Sequence, residues 1–390
     1  MNIVFLLRFW PNYGGGETVT RILANKFSEL GYNVSVIYLW DGRQEDMPRI
    51  NDRIKEHKIN NISAPYNIEQ IHKSDYKYIV AGLKDFIKNN PVDIVVNQWI
   101  PVKIVHKAVK RTNIKLICPH HSAVFIQPVI TTIIQRIFYS VFGQKGKNFN
   151  IWRRLYPLYK YADKFVVLAQ SYLDDCRKLF KVKNQSKKMM VINNPLSFNE
   201  FIDDKGISEK QKEILFVGRI YEPVKRITYI LDSWKLLQEK GKARDWKLYV
   251  VGDGPDLNVL KKYAESFPYR NIFFTGGQNP IEYYRRASIF LMTSSFEGWA
   301  MTLLEAQQNG CVPIVMNSFG SLNEIVEHEK NGLVVPNDDI AAFAEAIGRL
   351  MDDNELRLRM MYRGMEICRR FSVDTIANQW VALFNELKDQ

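Results

Sequence analysis

Short apolar, β-branched runs alternate with helix-patterned stretches through this chain in two successive series, and no other feature constrains its fold as much. In the first series residues 3–7 form an apolar run, 17–30 carry helical spacing closed by Gly31, and 33–39 read as a β-branched strand. Further apolar runs follow at 92–96, 114–118 and 165–168. The second series restarts with a strand at 214–217 and a helix at 227–240, then strands at 248–251, 272–274, 289–292 and 313–315. Strands separated by helices in this way give mostly parallel, doubly wound sheets. A chain of 390 residues is also longer than one hydrophobic core usually serves. Periodicity breaks in the polar stretch 193–213, at Asn-Asn-Pro and Asp-Asp-Lys-Gly. The expected organisation is a domain at 1–200, a second at 201–370, and an amphipathic helix at 371–390 that can cross back to the first, with Ile376, Trp380, Leu383, Phe384 and Leu387 at helical spacing. Open α/β sheets bind ligands beyond the carboxyl ends of their strands, so a cleft between the two sheets is the expected site.

Charge is divided unevenly along this frame. Residues 1–200 hold 30 Lys and Arg against 15 Asp and Glu, a net of +15, whereas residues 201–390 hold 24 against 27, a net of −3. The first half therefore expects an anionic partner: phosphate, nucleic acid or lipid head groups. The four cysteines lie far apart with no Cys-x-x-Cys pair, which points to neither a zinc site nor a disulfide framework and fits a reducing, cytoplasmic compartment. The first residues read as a buried strand rather than a signal peptide, and no apolar run reaches the 18 or more residues of a membrane span.

Four clusters carry chemistry. The strongest is 294–306, where Glu297 and Glu305 are separated by seven residues. A helix starting near Ala300 aims unpaired N–H groups and its positive end at the preceding loop, so Gly298, Trp299, Ala300, Met301 and Thr302 suit a diphosphate. Glu305 can accept from ribose hydroxyls while Glu297 reaches a transferred sugar; a solvated glutamate and a helix salt bridge are the plain alternative. The second cluster is 216–226, where Gly218 and Arg219 end a strand and Lys225 follows six residues later. An Arg fork and a Lys point charge together can neutralise a departing diphosphate, or be an ordinary basic loop. Third, Gly252-Asp253-Gly254-Pro255 fits a tight turn with Pro opening a helix, a scaffold role. Fourth, Gly14-Gly15-Gly16 precedes the first helix without Gly-x-Gly-x-x-Gly spacing, and His120 and His121 end a strand. Either histidine read singly is as well explained by structure as by function.

Taken in order, this set resembles retaining glycosyltransferase family four over nearly the whole chain, and the continuation 314–326 with Asn331-Gly332-Leu333-Val334 is similar as well. The resemblance implies a GT-B fold, two doubly wound Rossmann-like domains facing each other across a cleft. It further implies a nucleotide-sugar donor, UDP- or GDP-linked, a glycan or lipid-linked acceptor, retention at the anomeric carbon, and no obligatory metal or other cofactor. Arg219 and Lys225 then fall on the donor diphosphate, Glu305 on the ribose, Glu297 on the donor sugar, Gly15 and Gly16 beside phosphate or acceptor, and His120, with His121 next to it, at the reacting end. Gly320 matches the first of two glycines flanking the donor sugar; Ser321 stands at the second, and Arg226 and Ala300 also replace common glycines. The implied setting is bacterial cell-surface polysaccharide or glycolipid synthesis.

No Asp-x-Asp triplet for a divalent ion is evident, and phosphate charge has protein cations to meet it. Glu297 is placed to stabilise an oxocarbenium-like centre and receives no covalent role. The competing class is a non-catalytic basic protein binding nucleic acid or lipid, but the lysines are scattered among helices and form no recognised nucleic-acid module. Finally, Phe125, Ile126, Val129, Ile130, Ile133, Ile134, Ile137, Phe138, Val141 and Phe142 share helical spacing and precede Lys145, Lys147, Trp152, Arg153 and Arg154. That combination is what an interfacial anchor on an anionic inner leaflet needs, and equally what a helix packed on its own sheet or on a second subunit presents.

Overall fold

The computed structural model describes residues 1–389 apart from 13, 43–49, 66–70, 126–132 and 184–185. The chain divides into two compact units, Met1–Ser197 with Val373–Gln390, and Phe198–Ser372.

The first unit is built on a seven-stranded parallel sheet: β1 (Asn2–Leu6), β2 (Asn33–Tyr38), β3 (Lys55–Lys58), β4 (Ile94–Asn97), β5 (Lys115–His120), β6 (Lys164–Val167) and β7 (Met189–Val191). Their spatial order is β3-β2-β1-β4-β5-β6-β7. Strands β4 and β6 are buried at every position, which is why they read as continuous apolar runs rather than alternating ones. β3 differs. Its Lys-Glu-His-Lys sequence has no apolar signal because it is an exposed edge strand, where charge deters pairing with another chain. The strand order reverses between β1 and β4, so the loops that follow them open a crevice at their carboxyl ends.

The helix Val373–Lys388 completes this unit. It buries Ile376, Trp380, Leu383, Phe384 and Leu387. Phe384 meets Phe27 of the helix Gly15–Glu29 edge-on at 5.2 Å. Lys26 Nζ lies 2.5 Å from Asp374, and the buried Lys164 Nζ lies 2.6 Å from Glu386 and also donates to Lys187 O at 2.8 Å.

The second unit has a six-stranded parallel sheet, β8 (Gln211–Val217), β9 (Lys247–Val251), β10 (Ile272–Gly276), β11 (Ala287–Met292), β12 (Val312–Met316) and β13 (Leu333–Val335), in the order β10-β9-β8-β11-β12-β13. Reversal here falls between β8 and β11. One face packs on helix Ile227–Glu239, whose Ile227, Ile230, Leu231, Trp234 and Leu237 lie at helical spacing and are all buried. β13 is only three residues long, too short to stand out from the motif in which it sits.

Of the amphipathic stretch 125–154, Ile126, Val129 and Ile130 lie outside the described residues, as do the side chains of Ile133, Ile134, Ile137, Phe138, Val141 and Phe142. Helical structure covers Ile133–Tyr161 and is interrupted at Gly143 (φ 50°, ψ −134°). Among the described residues no helix is long and apolar enough to cross a membrane.

Phe384→Ala removes a fully buried ring from the contact that closes the first unit. The expected loss of stability is about 3–5 kcal/mol, read as a lowered denaturant midpoint for this unit.

Candidate active site

The loops after β8 and β11 meet at the strand-order reversal of the second unit. Gly218 N donates to Val251 O (3.0 Å) and Ile220 N to Asp253 O (2.8 Å), laying the start of the first loop along the Gly-Asp-Gly-Pro turn. That turn needs its glycines. A Cβ on Gly252 (φ +145°) would lie 1.9 Å from Gly218 O, and one on Gly254 would lie 2.1 Å from Ile220 O. The motif is a support for the loop that carries Arg219 and Lys225.

Lys225 runs beside Gly218, and its Nζ sits 2.5 Å from Glu297 Oε1, with both side chains mostly buried. Residues 72 apart in sequence are thus an ion pair. Arg219 is exposed, its guanidinium 5.6 Å from the Tyr221 ring centre. Backbone bonds join the two loops: Ser295 N donates to Val224 O at 2.7 Å, and Thr293 Oγ1 donates to Lys225 O at 2.8 Å.

The helix after the second loop is Met301–Gln308, with Ala300 at its N-cap and no side-chain capping bond. Its first N–H groups therefore face the loop without a side-chain acceptor. Thr302 and Gly298 are half-buried and Gly320 is exposed, whereas Ala300 and Trp299 are buried. The Trp299 indole packs edge-on against Phe371 at 5.2 Å, so contact with a ligand from this residue is confined to its backbone. Glu305 accepts a 3.0 Å bond from the hydroxyl of the fully buried Tyr284, a phenol held well above its ordinary pKa by burial and then by the Glu305 charge. Lys210 Nζ in turn donates to Tyr284 O at 2.7 Å, anchoring the Tyr284 main chain.

In the first unit His120 ends β5 and His121 follows it. His121 Nε2 donates to Gln98 Oε1, Gln98 Nε2 to Thr20 Oγ1 at 3.1 Å, and Thr20 Oγ1 to Gly16 O at 2.8 Å. This relay ties the start of the first helix to the carboxyl ends of β4 and β5. A Cβ on Gly16 would sit 2.8 Å from the Trp99 ring, so glycine there is required by the protein's own packing, while Gly15 is exposed and uncrowded. Glu17 folds its carboxylate onto its own N–H at that helix start, and burial raises its pKa. The Arg8 charge nearby acts in the opposite sense on Glu17.

Both histidines keep some exposed surface, but His120 Nε2 and His121 Nδ1 are buried with no hydrogen-bond partner among the described residues. Burial, aided by the charge of Arg154, pushes His120 down to about 3, and burial alone pushes His121 to about 4. Near pH 7 both are neutral imidazoles, able to hold a hydroxyl but carrying no charge.

Two units, each a doubly wound parallel sheet, define the GT-B class of glycosyltransferases. The family model described as "Glycosyl transferases group 1" matches residues 197–366 and that described as "Glycosyltransferase Family 4" matches 13–199. The chain belongs to the family-four glycosyltransferases. It is 25% identical to an uncharacterized glycosyltransferase of Haemophilus influenzae, over 94% of this chain and 95% of that one. It is 22% identical, over 97% of each, to a Campylobacter jejuni protein named GalNAc-alpha-(1->4)-GalNAc-alpha-(1->3)-diNAcBac-PP-undecaprenol alpha-1,4-N-acetyl-D-galactosaminyltransferase. The pneumococcal O-GlcNAc transferase GtfA, solved with UDP and GlcNAc, has the same fold, with a TM-score of 0.76, 13% identity and coverage of 100% of this chain and 99% of that one.

The histidines give a pH dependence of stability. Their folded pKa values lie below the ordinary 6.5, so the unfolded chain takes up protons first as pH falls. Stability is fully present above pH 6.5 and is lost as pH falls from there toward the folded values. Thermal melts from pH 7.5 to 4.5 should show this decline, and a His120→Asn, His121→Gln variant should show a shallower one.

Proposed function

We propose that this glycosyltransferase moves a sugar from a UDP- or GDP-linked donor to a glycan or lipid-linked acceptor, with retention of anomeric configuration and without a metal ion, in bacterial surface polysaccharide or glycolipid synthesis. The observation that carries the reading is the Lys225–Glu297 pair at the mouth of the second sheet, a cation and a carboxylate held together where open α/β sheets bind ligands. Lys225 and Arg219 take the charge of the departing diphosphate, and the N–H groups at 298–302, with Gly218 and Gly320 close by, cradle it. Glu305 accepts from the ribose, and Glu297 steadies positive charge developing on the donor sugar. In the first unit neutral His120 and His121, with Gly15 and Gly16, receive hydroxyls. The GtfA complex with UDP and the undecaprenol-linked substrate in the name of the Campylobacter relative support the donor and acceptor classes.

Surface chemistry supports a membrane-borne acceptor. Residues 94–162 contain 11 Lys and Arg and no Asp or Glu. Within them Phe149 is 53% exposed and stacks on Trp152 at 6.1 Å, which stacks on Tyr156 at 4.7 Å. Aromatic side chains beside cations suit the head-group layer of an anionic bilayer.

Release of nucleoside diphosphate from a panel of sugar nucleotides tests the chemistry. Lys225→Ala and Arg219→Ala should lower turnover by about 10²-fold or more, and activity should persist in EDTA. Glu305→Ala should weaken nucleoside diphosphate binding in calorimetry, while Glu297→Ala should chiefly slow transfer; wild-type turnover in the cation variants or equal binding loss in the two glutamate variants contradicts the roles. Co-sedimentation tests the surface: binding to anionic vesicles at low salt, weakened by added salt, is expected, and equal binding to neutral vesicles or none at all contradicts it.

A further inference from the structure

Arg226 occupies a backbone conformation that an L side chain adopts only at a cost, with φ +49° and ψ +50°. Its guanidinium makes four hydrogen bonds. Nε donates to Thr293 O at 2.6 Å and Nη2 to Ser294 O at 3.0 Å, the two carbonyls that open the loop leading to Glu297. Nη2 also donates to Asn337 Oδ1 at 2.9 Å, and Nη1 to Asp338 Oδ1 at 2.5 Å. Three segments far apart in sequence, 222–226, 293–297 and 337–338, thus converge on one planar cation that is only 13% exposed. A guanidinium presents five donors in a fixed fork, so it can hold carbonyls from one loop and side chains from another at a set spacing; a lysine ammonium cannot span them.

The residue before it is Lys225 and the loop it grips carries Glu297, so the same side chain sets both members of the ion pair. The main chain agrees, because Thr293 Oγ1 donates to the carbonyls of both Lys225 and Arg226, at 2.8 and 2.9 Å. Ser318 Oγ also donates to Ser294 O, at 2.5 Å, so the Ser294 carbonyl serves two donors. We infer that Arg226 is a positioning residue, a staple that fixes the loop 293–297 against the loop 222–226 and so sets the separation of Lys225 from Glu297. The inference rests on the functional reading of that pair, but the mechanical part of it does not.

Arg226→Gly is the informative substitution, since glycine is at home at this φ and only the staple is removed. Three readouts separate the outcomes. Hydrogen exchange on the protein without substrate follows the Ser295 amide, which is bonded to Val224 O at 2.7 Å. Arg226→Gly and Arg226→Lys should both lose protection there, by about tenfold or more, while the helix Ile227–Glu239 keeps its own. In the transfer assay kcat should fall by about 10²-fold, the scale of a small misplacement of reacting groups, with KM for the sugar nucleotide changing much less. Guanidinium ion at millimolar concentration should restore part of the Arg226→Gly activity, and equal sodium chloride should not. In an Glu297→Gln background Arg226→Gly should add little further loss, because the two act through one group. Unchanged Ser295 protection in both variants overturns the staple. Lost protection with fully additive losses of kcat overturns its action through Glu297. Lost protection with Glu297→Gln itself as active as wild type leaves the staple standing and removes the proposed role of Glu297 instead.

Discussion

Reversal of strand order at the middle of the second sheet is the constraint on which the rest of the site depends. Because β8 and β11 are neighbours while the chain between them builds the sheet outward, the loops that leave their carboxyl ends are forced side by side. Lys225 and Glu297, 72 residues apart, become a contact of 2.5 Å without any special local sequence. Every other element near them holds that meeting in place. The glycine turn at 252–254 lets one backbone lie directly on another, and Glu222 turns its carboxylate onto the N–H groups of Ile227 and Thr228, capping the helix that follows. The cost of about 1–2 kcal/mol for a left-handed arginine is offset by four charge-assisted hydrogen bonds.

The two units solve different electrostatic problems. In the second, Lys225 pairs with Glu297 and Arg226 with Asp338, so these charges are available and compensated. In the first, two imidazoles kept unprotonated by burial, an amide and a hydroxyl form an uncharged relay from Gly16 to His121, with the charges of Arg154, Arg8 and Glu17 close to it. Residues 1–200, which carry this relay, also hold a net charge of +15. Neutral donors and acceptors recognise hydroxyls by direction and do not attract every passing anion, and the basic exterior handles long-range attraction.

Much of this was legible in the sequence because doubly wound sheets announce themselves through buried strands. Ten of the apolar runs correspond to strands within a few residues, from β1 at the start to β12. The charged strand β3 was not legible, since an edge strand is specified by its neighbour β2 and not by its own side chains. At the site, Arg219, Lys225, Glu297 and Glu305 stand out by their place at strand ends and helix starts. Their partners do not: the Tyr284 hydroxyl on Glu305, the four acceptors of Arg226 and the packing of Trp299 on Phe371 all join residues from separate segments. Local periodicity carries no information about which loop a side chain will meet. The left-handed conformation at Arg226 explains why glycine suits that position, and only the surrounding acceptors explain an arginine.

The helix Val373–Lys388 gives the first unit a discontinuous chain, and this bears on how the protein is made. During synthesis the seven strands of the first sheet leave the ribosome well before the residues that cover Phe27, with the whole of Phe198–Ser372 in between. The second unit is continuous, so its core can close while the first still waits for Trp380 and Phe384. The usual order, in which the amino-terminal domain folds first, is therefore reversed for its final step. Throughout that interval Phe27, though it already stacks on Phe5 of β1, lacks the covering ring of Phe384.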